Sequence, residues 1–220
     1  SDSPKYAYDR PLNSRGKSSG DKKILLSFDY GPSTRPEIGP MTYAIMKQIL
    51  RSGNEIHTMA LWDTGLPMIA ETKKNVLKDL NLNERDVKIY DFGFKTGGEA
   101  VIKGMLSDIS ETFPGSKGKV DVHDLCDYDF IISFSAGSPG SKEWVQFGGD
   151  QSNSSCGKKV KVSTGVTAVQ VTELLPYVGS DDDAQLTGII QGATGAASYE
   201  ALVKEPGKAH QRMTSQSYVH

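Results

Sequence analysis

The stretch Lys22–Arg51, KKILLSFDYGPSTRPEIGPMTYAIMKQILR, decides the fold. Lys23–Asp29 is a short apolar run closed by a glycine-containing turn, which reads as a buried strand. Beyond the turn, Ile38, Met41, Ile45 and Ile49 fall on one face at helical spacing, so a helix is expected over Pro36–Arg51. Pro36 suits the first helical turn, where a backbone N–H would have no partner in any case. Strand, turn and amphipathic helix open a βαβ unit with a right-handed crossover.

The same alternation continues along the chain. A second strand is expected at Glu55–Leu61 after the stop signal of Gly53, then a helix at Pro67–Leu80 with Ile69, Val76, Leu77 and Leu80 on its buried stripe. A third strand, Val87–Phe92, leads to a helix over Gly98–Phe113, where Ile102, Met105, Leu106, Ile109 and Phe113 make a clean helical pattern. Tyr128–Phe134 is almost wholly apolar and reads as a central parallel strand. A fifth strand at Lys159–Ser163, a short helix at Val171–Tyr177 and a last helix at about Ala184–Val203 complete the domain. The expected fold is a three-layer α/β domain on an open, mostly parallel five- or six-stranded sheet, Rossmann-like or flavodoxin-like. Strand orders 3-2-1-4-5 and 2-1-3-4-5 both fit. Residues 1–20 read as an extended arm, 21–203 as the domain and 204–220 as a polar tail.

Bulk properties narrow the function classes. The 220 residues carry 25 basic and 27 acidic side chains, a net charge of −2, which leaves no field to draw nucleic acid or an anionic membrane. No apolar run reaches the ~18 residues needed to cross a bilayer. The first residue is Ser1 rather than methionine, so a removed signal peptide, anchor or leader is expected.

In open parallel sheets, ligands bind where strand carboxyl ends meet helix amino termini. The loops there are Asp29–Thr34, Trp62–Gly65, Gly93–Gly98, Ser135–Ser141 and Thr164–Thr167, and each carries glycine with Ser or Thr. Glycine allows close backbone approach, and hydroxyls offer donors to an anion or a polyol. The same residues also make ordinary βα turns and caps. The candidate ligand-binding residues are Asp29, Tyr30, Ser33, Thr34, Asp63, Lys95, Thr96, Gly97, Ser135, Gly137, Ser138, Thr164 and Thr167. Asp29, Asp63 and Asp91 end strands and could hold a metal, a sugar hydroxyl or a cation, or simply cap helices. Lys95 is the best-placed cation for an anionic ligand.

No loop matches G-x-G-x-x-G or a P-loop, so no cofactor is expected, neither a nicotinamide dinucleotide nor a Walker-type nucleotide. His57, His123, His210 and His220 pair by spacing with no Ser or Cys nucleophile, and catalytic residues stay unassigned. The run Asp181–Asp183 reads as a helix start rather than a calcium site, and no metal is expected.

Cys126 and Cys156 precede the fourth and fifth strands. If those strands are neighbours, both sulfurs meet at the amino-terminal edge of the sheet, across a strand spacing of ~5 Å that suits a disulfide. Two unrelated free thiols remain the alternative. Asn153-Ser154-Ser155 matches the glycosylation acceptor pattern in an expected polar loop. Gly188, Gly192 and Ala196 recur every fourth residue in the last expected helix, which favours close packing on the domain's own sheet over an oligomer interface.

The stretches Gly165–Val169, Leu175–Tyr177, Gln185–Gly192 and Ala196–Glu200, with Asp29-Tyr30 and Gly93–Ala100, resemble an uncharacterised group of membrane-anchored prokaryotic proteins with an extracytoplasmic Rossmann-like α/β domain. The resemblance runs from the first strand to about Val203, and the Asn153 and Asp181–Asp183 regions depart from it. It implies an anchor before Ser1, beyond His220 or both, and assigns no catalytic residue.

The leading expectation is an extracytoplasmic, cell-surface or secreted binding or assembly domain. It would hold a small polar or anionic ligand, or a partner subunit, at the carboxyl edge, with self-association or a membrane protein as the partner. A hydrolase or transferase acting on a phosphorylated or sugar substrate through Asp29 and the Ser135–Ser141 loop stays open. So does a structural subunit of a surface layer or filament.

Overall fold

The computed structural model describes residues 22–157, 160–179 and 185–202. The expected arm, the polar tail and Asp181–Asp183 lie outside them. Six strands form one parallel sheet in the order β3-β2-β1-β4-β5-β6: β1 Lys23–Asp29, β2 Glu55–Ala60, β3 Ile89–Phe94, β4 Phe130–Ser135, β5 Lys161–Val166 and β6 Ile189–Gln191. This is the Rossmann-like order, and the sequence direction reverses between β1 and β4. Register sets Ser27 beside Ser133 and Asp29 beside Ser135 across that junction.

Helices cover both faces. Alternation along β1 sends Ile24, Leu26 and Phe28 to the face packed by α1 (Arg35–Arg51), α2 (Gly65–Leu80) and α8 (Gly192–Leu202). Leu25 points to the other face, under α3 (Glu99–Ser107) and the helical segment that follows β4. That segment is α5 (Ser141–Glu143), a π-helical stretch Trp144–Asp150 and α6 (Gln151–Cys156). Gly149 lets it press on the sheet, because a Cβ there would stand 2.9 Å from Val162 Cγ2. No described helix is long and apolar enough to cross a membrane.

Several expected elements shift. The helix expected over Gly98–Phe113 breaks at Asp108, whose extended backbone and Oδ1, accepting from Glu111 N at 3.0 Å, cap a separate α4 (Ile109–Thr112). The short helix at Val171–Tyr177 is present as α7 (Val171–Leu174) and a 3-10 turn, Leu175–Tyr177. The expected last helix starts only at Gly192, and Ile189–Gln191 instead extends the sheet beside β5. A short apolar run fits a strand or a helix equally well, and here the open edge of β5 takes it as a strand. β5 continues through Gly165, where a Cβ would stand 2.9 Å from both Met41 Sδ and Phe134 Cδ1.

Candidate functional site

Strand alternation sends Ser27, Asp29, Ser133, Ser135 and Thr164 to one face, and all five are buried there. Asp29 is 0% exposed. Its carboxylate accepts from Ser27 Oγ at 2.8 and 2.9 Å, Leu61 N at 2.8 Å, Trp144 Nε1 at 3.3 Å and Ser133 Oγ at 3.4 Å. Burial pushes its pKa up to about 7, against the opposing pull of those donors. Ser141 Oγ continues the network to Ser133 Oγ at 3.1 Å and to the Thr164 hydroxyl, and Thr164 Oγ1 donates to Ser133 O at 2.8 Å.

This corrects the placement of several candidate ligand residues. Asp29, Ser135 and Thr164 are structural: their polar atoms are saturated by the protein, and Ser135 Oγ donates to Gly137 O at 2.7 Å. Tyr30 turns to the opposite face, buried, with its hydroxyl 3.3 Å from Thr42 Oγ1. Thr167 is buried after β5. Lys95 is not a free cation for a ligand, because its Nζ donates to Thr112 O and lies 5.6 Å from the Phe113 ring centre. Thr34 Oγ1 donates to Gly31 O at 3.3 Å, inside its own turn. Thr96 and Gly97 are exposed ahead of α3.

Ser33, Asp63 and Ser138 do come together. They line an open groove of about 530 Å³ over the carboxyl ends of β1, β2 and β3. Trp62, Phe94 and Pro139 form its apolar walls. Trp62 is held by its Nε1 donating to Pro139 O at 2.8 Å and by Gly137, where a Cβ would stand 3.1 Å from the indole. Asp63 is exposed and accepts from Thr64 N at 2.7 Å, which orients its carboxylate at the start of α2. Ser138 Oγ donates to Glu143. Trp62 and Phe94 were absent from the sequence candidates, although each stands at a strand's carboxyl end, where an aromatic ring has little core to fill.

Two further clusters lie apart from the groove. His57 is 1% exposed, with Nδ1 2.6 Å from Tyr128 Oη and Nε2 2.8 Å from Glu55 Oε1. Burial holds its pKa below the usual imidazole value even with Glu55 alongside. At the amino-terminal edge, Cys126 and Cys156 form the expected disulfide, with a Cα–Cα distance of 5.6 Å. Asn153 lies in helix α6 rather than in a loop, because the chain stays helical up to the left-handed cap at Gly157.

No family profile and no curated protein sequence matches the chain. Among solved structures, levodione reductase matches at 9% identity with a TM-score of 0.33, covering 83% of this chain and 63% of that one. A short-chain dehydrogenase from Mycobacterium smegmatis matches at 14% identity and a TM-score of 0.32, covering 84% and 68%. NAD+-bound xylitol dehydrogenase matches at 11% identity and a TM-score of 0.32, covering 84% and 64%. The chain thus spans less than two thirds of the levodione reductase chain, and likeness at this level assigns no activity.

The expected extracytoplasmic binding or assembly domain is set aside. The carboxylate expected to face the ligand or partner at the carboxyl edge is sealed inside the domain. The hydrolase or transferase built on Asp29, and the structural subunit, are set aside with it.

Proposed function

We propose that this domain is the dinucleotide-binding domain of an oxidoreductase, holding the adenosine half of a nicotinamide dinucleotide in the groove over β1–β3. One observation carries the reading: Asp63 stands exposed just past β2, between aromatic walls, on a sheet of order 3-2-1-4-5-6. In sheets of that order an acidic group past the second strand hydrogen-bonds the ribose, and the pyrophosphate lies at the first βα turn. Trp62 and Phe94 offer faces for the adenine ring. Gly31 is the only glycine in the turn Asp29–Thr34, and the exposed Ser33 hydroxyl beside it offers a donor to the pyrophosphate. Hydride transfer would belong to the dinucleotide itself, and the protein's part here is binding and orientation.

The test is titration of the chain with NADH and with NADPH, followed by dihydronicotinamide fluorescence and calorimetry. The expected result is saturable binding to one of them, weakened about tenfold or more by Asp63→Asn, the loss of one charge-assisted hydrogen bond. Absence of saturable binding to either dinucleotide overturns the reading.

A further inference from the structure

The cystine at the amino-terminal edge has a carboxylate beside it. The Cys126 and Cys156 sulfurs and an Asp124 oxygen all lie within 4.8 Å of one another, and the three residues are partly exposed. We propose that, once the Cys126–Cys156 bond is reduced, these three side chains form a zinc site whose fourth position is open to water.

The ligands are placed by their own elements and not by the S–S bond alone. Asp124 caps the helical turn Leu125–Asp127, its Oδ1 accepting from Cys126 N at 2.7 Å, and Asp127 Oδ2 accepts from His123 N at 2.6 Å. Cys156 ends α6, and Ser152 anchors that helix: its Oγ donates to Gly149 O at 2.5 Å and accepts from Val160 N at 2.8 Å. Reduction therefore frees two sulfurs whose backbones remain facing each other at a Cα–Cα distance of 5.6 Å. A tetrahedral zinc with Zn–S bonds of ~2.3 Å needs sulfurs about 3.8 Å apart, which rotation of the cysteine side chains supplies.

The surroundings suit a cation. Asp124 Oδ2 faces His123 Nδ1 at 3.3 Å, an exposed contact that a metal can displace, and Asp108 Oδ2 lies 3.7 Å from His123 Nε2. Two thiolates with one carboxylate select zinc over calcium or magnesium, which take oxygen ligands. A dithiol gives two electrons and two protons to the cystine, becoming a disulfide itself and leaving two cysteine thiols. Zinc then displaces both thiol protons to solvent and takes the two thiolates, Asp124 and a water. In a compartment that keeps thiols reduced, the metal-bound form would be the resident one.

The test compares oxidised chain with chain reduced by a phosphine, which leaves no competing thiol, each titrated with Co2+ and then Zn2+. Reduced chain is expected to take one Co2+ with a thiolate-to-cobalt charge-transfer band that Zn2+ bleaches, and oxidised chain to show no such band. Asp124→Asn keeps the oxygen that caps Cys126 N but is a poor ligand, and it should weaken metal binding about tenfold or more. Circular dichroism follows the fold throughout: if the reduced chain loosens, restoration by Zn2+ supports the site. The proposal is overturned by a reduced chain that shows no charge-transfer band, by equal binding in the oxidised chain, or by a loosened chain that zinc does not restore.

Discussion

Trp144 Nε1 donates to Asp29 Oδ2 at 3.3 Å, joining the helix layer to the last residue of β1 across 115 positions of sequence. Both side chains are fully buried, so the indole N–H would be left unsatisfied if Asp29 were removed, whereas the carboxylate would still accept from Ser27, Ser133 and Leu61 if Trp144 were lost. The pair pins the π-helical stretch to the centre of the sheet beside the β1/β4 junction.

Asp29→Leu strands the Leu61 amide and the Trp144 indole N–H, and each orphaned buried donor costs about 1–3 kcal/mol. Asp29→Asn keeps an acceptor and should lose far less. Urea unfolding of the two variants checks the ordering, and the proposal of a structural Asp29 fails if Asn and Leu are equally damaging.

The same carboxyl makes stability depend on pH. Its folded pKa, raised from 3.8 to about 7, means that the folded chain holds a proton which the unfolded chain releases earlier. Its contribution is fully present below the unfolded value and is lost as pH rises through about 7. His57 acts in the opposite sense, because its lowered folded pKa makes its contribution present above the usual imidazole value and lost as pH falls. The Tm of the wild-type chain should therefore fall as pH rises from about 4 to about 7, and Asp29→Asn should lack that component of the fall in thermal unfolding.

Gly65 opens α2 where a Cβ would run into Phe28 O and stand 2.7 Å from Ala60 Cβ. Backbone cannot yield as a flexible side-chain end can, so Gly65→Ala should destabilise by more than the ~1 kcal/mol typical of a point substitution. A melting curve unchanged by Gly65→Ala would contradict the close approach of α2 to β1.

Reduction of the disulfide, or Cys126→Ala with Cys156→Ala, should lower stability in metal-free solution. The bridged cysteines are 30 positions apart, which corresponds to about 3–4 kcal/mol in the loop-closure picture. Chemical denaturation of oxidised and reduced chain in the presence of a chelator measures it.

The groove was only partly legible beforehand. Ser33, Asp63 and Ser138 stand out because glycine, proline and hydroxyl residues mark βα turns. Asp29 reads the same way at the level of residue type, yet it turns inward. The difference lies in what faces it: Ser27 from two residues back, Ser133 from the neighbouring strand and Trp144 from the helical segment that follows β4. Lys95 likewise looks available until α4 ends beside it.

Strand and helix periodicity determined the α/β class and the first three βα alternations, because period and spacing are local properties of a chain, and the cysteines ahead of β4 and β5 pointed to a disulfide only on condition that those strands were neighbours. Strand order, the sixth strand, the inward Asp29 and the aromatic groove were decided only in three dimensions. A side chain's role at a strand end depends on which distant segment covers it, and here the covering residue of Asp29, Trp144, lies far along the chain.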